Sequence, residues 1–164
     1  YDDYKRTCHD AAVHVPLVIA GGPFKGGIAV DDIVSTESLP KTICALAGID
    51  VGREMIGENL LDVVQHKDEH RKNEAFIQIS ESRLGRAIRT DKYCYSVYAP
   101  NIQGGEKAST DYYRDDFLYD LTVDPYQLEN KVGDIKYKDV KASLRKRLIE
   151  MIKEAENIDA VIED

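Results

Sequence analysis

A short run of charged residues near the start of the chain could bind an anion. Lys5 and Arg6 are followed closely by His9 and Asp10. Cationic side chains hold anions through charge-assisted hydrogen bonds, which are stronger than bonds between neutral groups. A solvated polar segment has the same composition, so both interpretations stay open on these residues alone.

A second cluster of basic residues lies in the C-terminal half of the chain. Arg83, Arg86, Arg89 and Lys92 are close together in an otherwise acidic protein. They could decorate one solvated face of a sheet or border a cleft for an anionic substrate. The preceding residues 80–82 (Ser-Glu-Ser) offer hydroxyl groups at the end of a predicted strand, but no base that could activate a serine is identifiable.

General catalytic motifs are absent from the sequence. It contains no GxSxG, Walker A, GxGxxG, HExxH or EF-hand pattern. Cys8, Cys44 and Cys94 have neither CxxC nor Cys/His ligand spacing, so no zinc site is predicted. Chemistry, if the chain takes part in any, must be identified from more specific patterns.

Composition restricts the class of partner. The chain has 164 residues, with 22 Lys and Arg against 30 Asp and Glu, and a net charge of −8. This balance disfavours binding to nucleic acid and to an anionic membrane. No apolar run approaches the roughly 18 residues that a membrane span needs. We expect a globular chain without a membrane segment, and the polar start at Tyr1 is typical of an excised piece, which leaves the compartment unknown.

The first half of the sequence has the pattern of an α/β protein. Residues 15–20 (VPLVIA) form a short apolar run before a glycine-rich loop, which predicts a strand buried in a parallel sheet. A helix is predicted next, because Leu39, Ile43 and Leu46 share one helical face and Gly48 suits the position after its end. A short helix is predicted at 59–64, and the charged stretch that ends near residue 73 predicts a subdomain boundary.

From residue 74 the apolar pattern changes to the alternation of strands. Segments near 75–79, 85–90, 93–98 and 117–121 alternate apolar and polar residues, which predicts an antiparallel sheet. Apolar residues from Tyr137 to Ala155 then repeat every three or four positions, which predicts a long amphipathic helix. The second half is therefore predicted to be an α+β subdomain in which this helix packs on the sheet.

Three stretches, in order, resemble the C-terminal portion of type I sulfatases, which belong to the alkaline-phosphatase-like superfamily. They are residues 5–27 (KRTCHDAAVHVPLVIAGGPFKGG), residues 34–64 (VSTESLPKTICALAGIDVGREMIGENLLDVV) and the region from 85 to 140 that contains GRAIRTDKYCYSVYAP and LYDLTVDPYQLEN. The resemblance covers nearly the whole chain. It implies that residues 1–73 are the α/β tail of an alkaline-phosphatase-like core, and that residues 74–164 are the smaller C-terminal subdomain.

The resemblance also implies roles for individual residues. The lysine of the KRT phrase contacts the sulfate group in this family, and its match is Lys5. A compact cation is suited to that role, because it can stabilise the charge on sulfate oxygens as the ester oxygen departs. His9, Arg86 and Arg89 are expected to bind substrate, which would be a sulfated small molecule or carbohydrate. The expected partner is the upstream sulfatase core.

Other parts of the family's active site do not occur in this sequence. The C/S-x-P-x-R phrase that yields formylglycine, and the acidic phrases that hold calcium, have no match. We therefore predict no complete metal site here, calcium in the intact enzyme, and no activity of the chain alone. Two alternatives remain: a phosphatase or phosphonate hydrolase of the same superfamily, and a noncatalytic module that binds a carbohydrate or protein through its tyrosine-rich sheet.

Overall fold

The computed structural model of the chain describes residues 6–52, 55–81 and 83–164. They fall into two compact units. Residues 6–15 and 76–164 form one, here called the sheet unit, and residues 16–75 form the other, here called the loop unit. The assignment of residues 1–73 to an alkaline-phosphatase-like core stays a prediction. Within the described ranges, no helix is long and apolar enough to cross a membrane.

The helices and strands are few, and most lie in the C-terminal half. In chain order they are α1 (Asp10–Val13), α2 (Ser38–Leu46), α3 (Leu60–Val64), β1 (Glu74–Ile79), β2 (Arg83–Thr90), β3 (Tyr93–Gln103), β4 (Tyr112–Asp120), a 3-10 turn (Ile135–Tyr137), α4 (Lys138–Glu156) and β5 (Val161–Glu163). The predicted helices at 59–64 and in the C-terminal region are confirmed, as is the predicted series of strands.

The five strands form one sheet in the order β1-β2-β3-β4-β5. Strands β2, β3 and β4 pair antiparallel, as predicted, with Arg89 opposite Cys94 and Cys94 opposite Tyr119. Strand β5 pairs parallel with β4, with Tyr112 opposite Val161. The prediction of a purely antiparallel sheet is therefore wrong, and the sheet is mixed. A strand of three residues is too short to produce a recognisable alternation of apolar residues.

Helix α4 covers one face of the sheet. Leu144, Leu148, Met151 and Ile152 are its buried residues, and they recur every three or four positions as the sequence predicts. They join sheet residues such as Leu118 in the main apolar core. A fully buried aliphatic side chain of this kind contributes about 1.5–3 kcal/mol through removal of apolar surface from water.

The LYDLTVDPYQLEN motif forms the return of the chain after β4. One carboxylate oxygen of Asp124 accepts hydrogen bonds from the backbone N–H groups of Leu128 and Glu129, at 2.8 Å each. These donors lower the pKa of Asp124. The side-chain oxygen of Asn130 accepts from the N–H groups of Leu118 and Val132 at 3.0 Å. The motif thus encodes a turn that is fixed to the sheet by side-chain hydrogen bonds.

In the loop unit, α2 and α3 are joined by polar contacts. Thr42 Oγ1 accepts a 2.9 Å hydrogen bond from the N–H of Leu60, and Ser38 Oγ accepts a 3.0 Å bond from the N–H of Glu58. Ser38 and Thr42 are the buried residues of α2. The apolar face predicted for α2 is largely exposed instead: Ile43 is 64% exposed and Leu46 is 46% exposed.

The predicted strand at residues 15–20 is wrong. These residues have no regular secondary structure, and Val18 is 90% exposed. An apolar run indicates a preference for burial, but a strand also needs a neighbouring strand to bond with its N–H and C=O groups. No described strand runs beside this segment.

Candidate functional site

The N-terminal segment that carries the predicted anion-binding residues lies on the sheet. Cys8 is buried, with 3% of its surface exposed, and it packs in a small cluster with Ala87, Cys94, Phe117 and Tyr119. Because successive residues of a strand point to opposite faces, this cluster occupies the face opposite to α4. Burial raises the pKa of the Cys8 thiol to about 11, so the thiol is protonated at neutral pH and is not poised as a nucleophile.

Asp10 joins three distant parts of the chain. Its carboxylate accepts hydrogen bonds from Arg89 on β2, with Nε–Oδ1 at 3.0 Å and Nη2–Oδ2 at 3.0 Å. The amide nitrogen of Gln127 donates to the same carboxylate at 3.2 Å, and the Gln127 oxygen accepts from the Asp10 N–H at 2.8 Å. Asp10, Arg89 and Gln127 are here called the clasp. Asp10 comes from the first of the stretches that carry the sulfatase resemblance, and Arg89 and Gln127 come from the third.

His9 is held by its neighbours on the same face. Its Nε2 lies 3.1 Å from the Tyr119 hydroxyl, its Nδ1 contacts Thr7 Oγ1, and its ring lies 4.2 Å from the ring of Phe117. Burial lowers the pKa of His9, the Asp116 carboxylate opposes this, and the Arg83 cation adds to it. The imidazole is therefore neutral near pH 7, so it can act there as a hydrogen-bonding group but not as a cation.

Arg86 is a buried residue of the other face. Its side chain is 1% exposed, and its Nε bonds to Glu156 at the end of α4. Its remaining nitrogens donate to the carbonyl oxygens of Ile79 at 3.1 Å, Gly85 at 2.7 Å and Ala108 at 2.6 Å. This geometry leaves no donor exposed for a ligand, and it does not favour the predicted role of Arg86 in substrate binding, which stays a prediction.

Arg86 and Arg89 do not line one site. An odd separation along a regular strand places two side chains on opposite faces, and β2 is regular between them. Arg86 meets α4, whereas Arg89 meets the N-terminal segment. The structure therefore brings His9, Asp10 and Arg89 to one face and separates them from Arg86.

Two cations near the N-terminal segment keep exposed side chains. Arg6 is 40% exposed and lies 4.0 Å from Glu81, and Arg83 is 37% exposed and forms a 2.9 Å ion pair with Asp116. These residues have more free surface for an anion than Arg86 or Arg89. The predicted catalytic residue, Lys5, lies outside the described residues.

Several members of this site are not predicted by sequence reasoning. Gln127, Phe117, Tyr119 and Asp116 contact or influence the N-terminal segment from more than 100 residues away. The position of Gln127 in the DPYQLEN phrase is the one signal in the sequence that singles it out. Alternation along β4 predicts that Phe117 and Tyr119 share a face, but not which segment covers them.

The described residues do not provide a calcium site. Within the ranges 6–52, 55–81 and 83–164, no group of three or more His, Cys, Asp or Glu side chains is placed to hold a metal ion. Calcium needs six or more oxygen ligands, and the carboxylate of Asp10 is already occupied by Arg89 and Gln127.

The family of the chain follows from a comparison with known families. Residues 1–154 match the model of the family described as N-sulphoglucosamine sulphohydrolase, C-terminal, and the chain belongs to this family of sulfatase C-terminal domains. The resemblance found in the sequence is thereby confirmed.

Individual relatives and solved structures agree with this family. Human arylsulfatase K is 26% identical over 159 residues, which are 91% of this chain and 27% of the relative. The ulvan-active sulfatase of Formosa agariphila is 24% identical over 160 residues, 90% of this chain and 29% of the relative. The chain therefore spans little more than a quarter of the curated relatives it matches.

Two solved structures share the fold. BT4656, in complex with its substrate D-glucosamine-2-N,6-O-disulfate, aligns with a TM-score of 0.58 at 22% identity, over 72% of this chain and 24% of that chain. BT1596, a 2-O GAG sulfatase, aligns with a TM-score of 0.52 at 28% identity, over 71% of this chain and 24% of that chain. The mixed sheet with its C-terminal helix is thus a sulfatase C-terminal fold.

Proposed function

We propose that this chain is the C-terminal portion of a sulfuric ester hydrolase that acts on a sulfated carbohydrate. The observation that carries this proposal is the clasp. Asp10 lies in the first stretch that resembles sulfatases and Arg89 and Gln127 lie in the third, and the three residues meet in one hydrogen-bonded cluster. The cluster therefore joins the first and the third of these stretches, which fits a part of a sulfatase that fixes the segment around Asp10 on the sheet.

The substrate class is proposed from the relatives. The names of three similar proteins give what they act on: a disulfated glucosamine, a glycosaminoglycan and ulvan. All three are sulfated carbohydrates, so the expectation of a sulfated sugar is carried over to this protein. The comparisons favour sulfate esters over the phosphate or phosphonate esters that the sequence left open.

Lys5 is the residue proposed to touch the sulfate group. Its ammonium group would stabilise the charge that builds up on the sulfate oxygens as the S–O bond to the sugar breaks. Lys5 is one residue before Arg6, and His9 and Asp10 are fixed on the sheet close behind it.

The rim of the substrate site is proposed to include exposed cations of the same face. Arg6 and Arg83 are each more than a third exposed. Both ring nitrogens of His9 already contact protein groups, so His9 is proposed to shape the rim without binding the sulfate group. Arg89 is proposed to position the N-terminal segment through its ion pair with Asp10.

The remaining catalytic groups are proposed to belong to a longer protein. Formylglycine would supply the nucleophile and calcium would bind the sulfate oxygens, and both belong to sequence that this chain does not contain. Leu17, Val18, Ile28 and Ile43 of the loop unit are each more than 45% exposed, which supports this proposal because a longer protein could bury these apolar side chains.

The test measures sulfate release from a sulfated disaccharide by the longer gene product that contains this chain. Lys5→Ala should lower kcat/KM by about a hundredfold or more, the loss typical of a group that stabilises transition-state charge. Lys136→Ala, which removes an exposed lysine of the sheet unit, is the matched control and should have no effect. Full activity of Lys5→Ala, or sulfate release by the 164-residue chain alone, would contradict the proposal.

A further inference from the structure

A groove of about 680 Å³ runs along the N-terminal half of α4 in the sheet unit. It lies on the covered face of the sheet, on the side away from the clasp. Its aliphatic surface comes from Val132, Ile135, Ala142 and Ile149. Ile135 is 77% exposed. The volume is in the range of pockets that accept a ligand or a short peptide.

Four cations also line this groove, and they fall into two pairs. Lys141 and Arg145 are bound to Asp115 at 2.8 and 2.9 Å, and both also contact Asp164. Lys138 and Lys146 have no ion-pair partner among the described residues. These two lysines are therefore the cations that the groove can offer to a ligand.

The acidic residues of the groove are occupied elsewhere. The carboxylate of Asp134 accepts from the backbone N–H of Lys136, and Glu150 pairs with Arg147 at 3.1 Å. Asp164 is shared by Lys141 and Arg145, whose cations lower its pKa to about 2. The groove thus combines an aliphatic floor with two available positive charges, in a protein whose net charge is −8.

The spacing of the two lysines suggests the shape of the ligand. Lys138 and Lys146 are eight residues apart on α4, which is about 12 Å along the axis, and Ala142 lies midway on the same row. In an extended peptide, residues i and i+4 are about 13 Å apart, and residues i, i+2 and i+4 point to the same side. Carboxylates at i and i+4 would reach the lysines while an aliphatic side chain at i+2 meets the floor.

We propose that this groove binds an extended acidic peptide of a partner protein, with the pattern acidic-x-aliphatic-x-acidic. A peptide is favoured over a sulfated sugar because the lining residues are aliphatic, and no aromatic ring among them could stack on a sugar. The inference does not depend on the proposed function, since the groove and the N-terminal segment lie on opposite faces of the sheet.

The test uses the 164-residue chain and the fluorescently labelled peptide Gly-Glu-Ser-Leu-Ser-Glu-Gly, with blocked ends. Anisotropy should show saturable binding that weakens as NaCl is raised, because the lysines and carboxylates are exposed to solvent. Replacing both Glu of the peptide by Gln, or its Leu by Ser, should weaken binding at least fivefold. Equal binding of the three peptides would overturn the proposal.

Variants of the protein locate the site. Charge reversal in Lys138→Glu with Lys146→Glu should weaken binding by about tenfold or more. The matched control, Lys92→Glu with Lys107→Glu, makes the same change of net charge at exposed lysines outside the groove and should leave binding within twofold. All four lysines are exposed, so both variants should unfold at the temperature of the wild type. A variant that loses binding but keeps this unfolding temperature has lost the site and not the fold.

Two further outcomes would contradict the proposal. A sulfated tetrasaccharide that shifts the amide NMR signals of Lys138 and Lys146, where the peptide shifts none, would show that the groove binds sugar. Self-association of the chain that the lysine variants abolish would show that a second copy occupies the groove.

Discussion

The two units of the chain bury their apolar side chains to different degrees. In the sheet unit, Leu118, Leu148 and Ile152 are completely buried in one core. In the loop unit, Val18 is 90% exposed and Ile43 is 64% exposed, and α2 contacts α3 mainly through the hydroxyl groups of Ser38 and Thr42. Both regions contain the apolar patterns of helices and strands. The sheet unit packs these residues into its core, whereas the loop unit buries Leu60 and Val63 but leaves the apolar residues of α2 largely exposed.

This difference shows that an apolar pattern records the surroundings in which a segment functions. The sheet unit contains both the helix and the sheet that its patterns require. The patterns of the loop unit require partners that the described residues do not supply. The energetic consequence is that substitutions of the buried residues of the sheet unit should be costly, whereas substitutions of the exposed apolar residues of the loop unit should be nearly free.

The largest expected effect is at the buried ion pair of the sheet unit. Arg86→Met should lower the free energy of unfolding by about 3–5 kcal/mol, because it leaves the Glu156 carboxylate buried without its cation. Urea denaturation measures this change. Arg114→Met, at an exposed arginine of β4, is the matched control and should cost less than about 1 kcal/mol. Equal losses of unfolding free energy in the two variants would show that the burial of Arg86 does not add to its contribution to stability.

The clasp should have an intermediate effect. Arg89→Met leaves Asp10 without its bidentate partner and should cost about 1–3 kcal/mol. Arg89→Lys keeps the charge but loses the bidentate geometry, so it should lower the free energy of unfolding by less than Arg89→Met does. Hydrogen exchange at the Asp10 amide should speed up in both variants, since its partner Gln127 would be less well held. Unchanged exchange would mean that the clasp does not fix the N-terminal segment.

In the loop unit, Ile43→Ser should change the stability of the 164-residue chain by no more than about 0.5 kcal/mol, as at other exposed sites. In the longer protein the same substitution should cost about 1–3 kcal/mol, if the sulfatase core covers α2 as proposed. Thermal unfolding of both forms tests this contrast. A large loss in the short chain would show that the loop unit buries Ile43 within this chain.

The smallest expected effect concerns the pH dependence that His9 confers. Its pKa is lowered in the folded state, so the unfolded chain binds a proton first as the pH falls below about 6.5. His9 should therefore reduce stability progressively from about pH 6.5 down to its folded-state pKa. The difference in denaturation midpoint between pH 7.5 and pH 5.5 should be smaller in His9→Gln. An NMR titration that gives His9 an elevated pKa would contradict this prediction.

Features with a long or regular pattern are predictable from this sequence. Helix α4 follows from a three-to-four residue period over five turns, and β3 and β4 follow from their alternation. Strand β5 has three residues and shows no such pattern. The strand predicted at 15–20 fails because composition reports a preference for burial and says nothing of available partners.

The site is less predictable than the fold because it depends on faces and on distant contacts. The odd separation of Arg86 and Arg89 indicates opposite faces of a strand, and it argues against placing both at one site. The pairing of Asp10 with Gln127 spans 117 residues, and no local pattern connects them. Resemblance identifies both segments, and only the structure shows that they touch.

The distance along the chain between Asp10 and Gln127 has a consequence for biosynthesis. A ribosome adds about 5–20 residues per second, so Gln127, which is 117 positions after Asp10, is added roughly 6–23 s later. Throughout that interval the KRT segment has been synthesised but lacks one of the two residues that hold Asp10. The contacts of Asp10 are thus complete only after Gln127 has been made, and a truncated translation product that stops before Gln127 would lack the two hydrogen bonds between these residues.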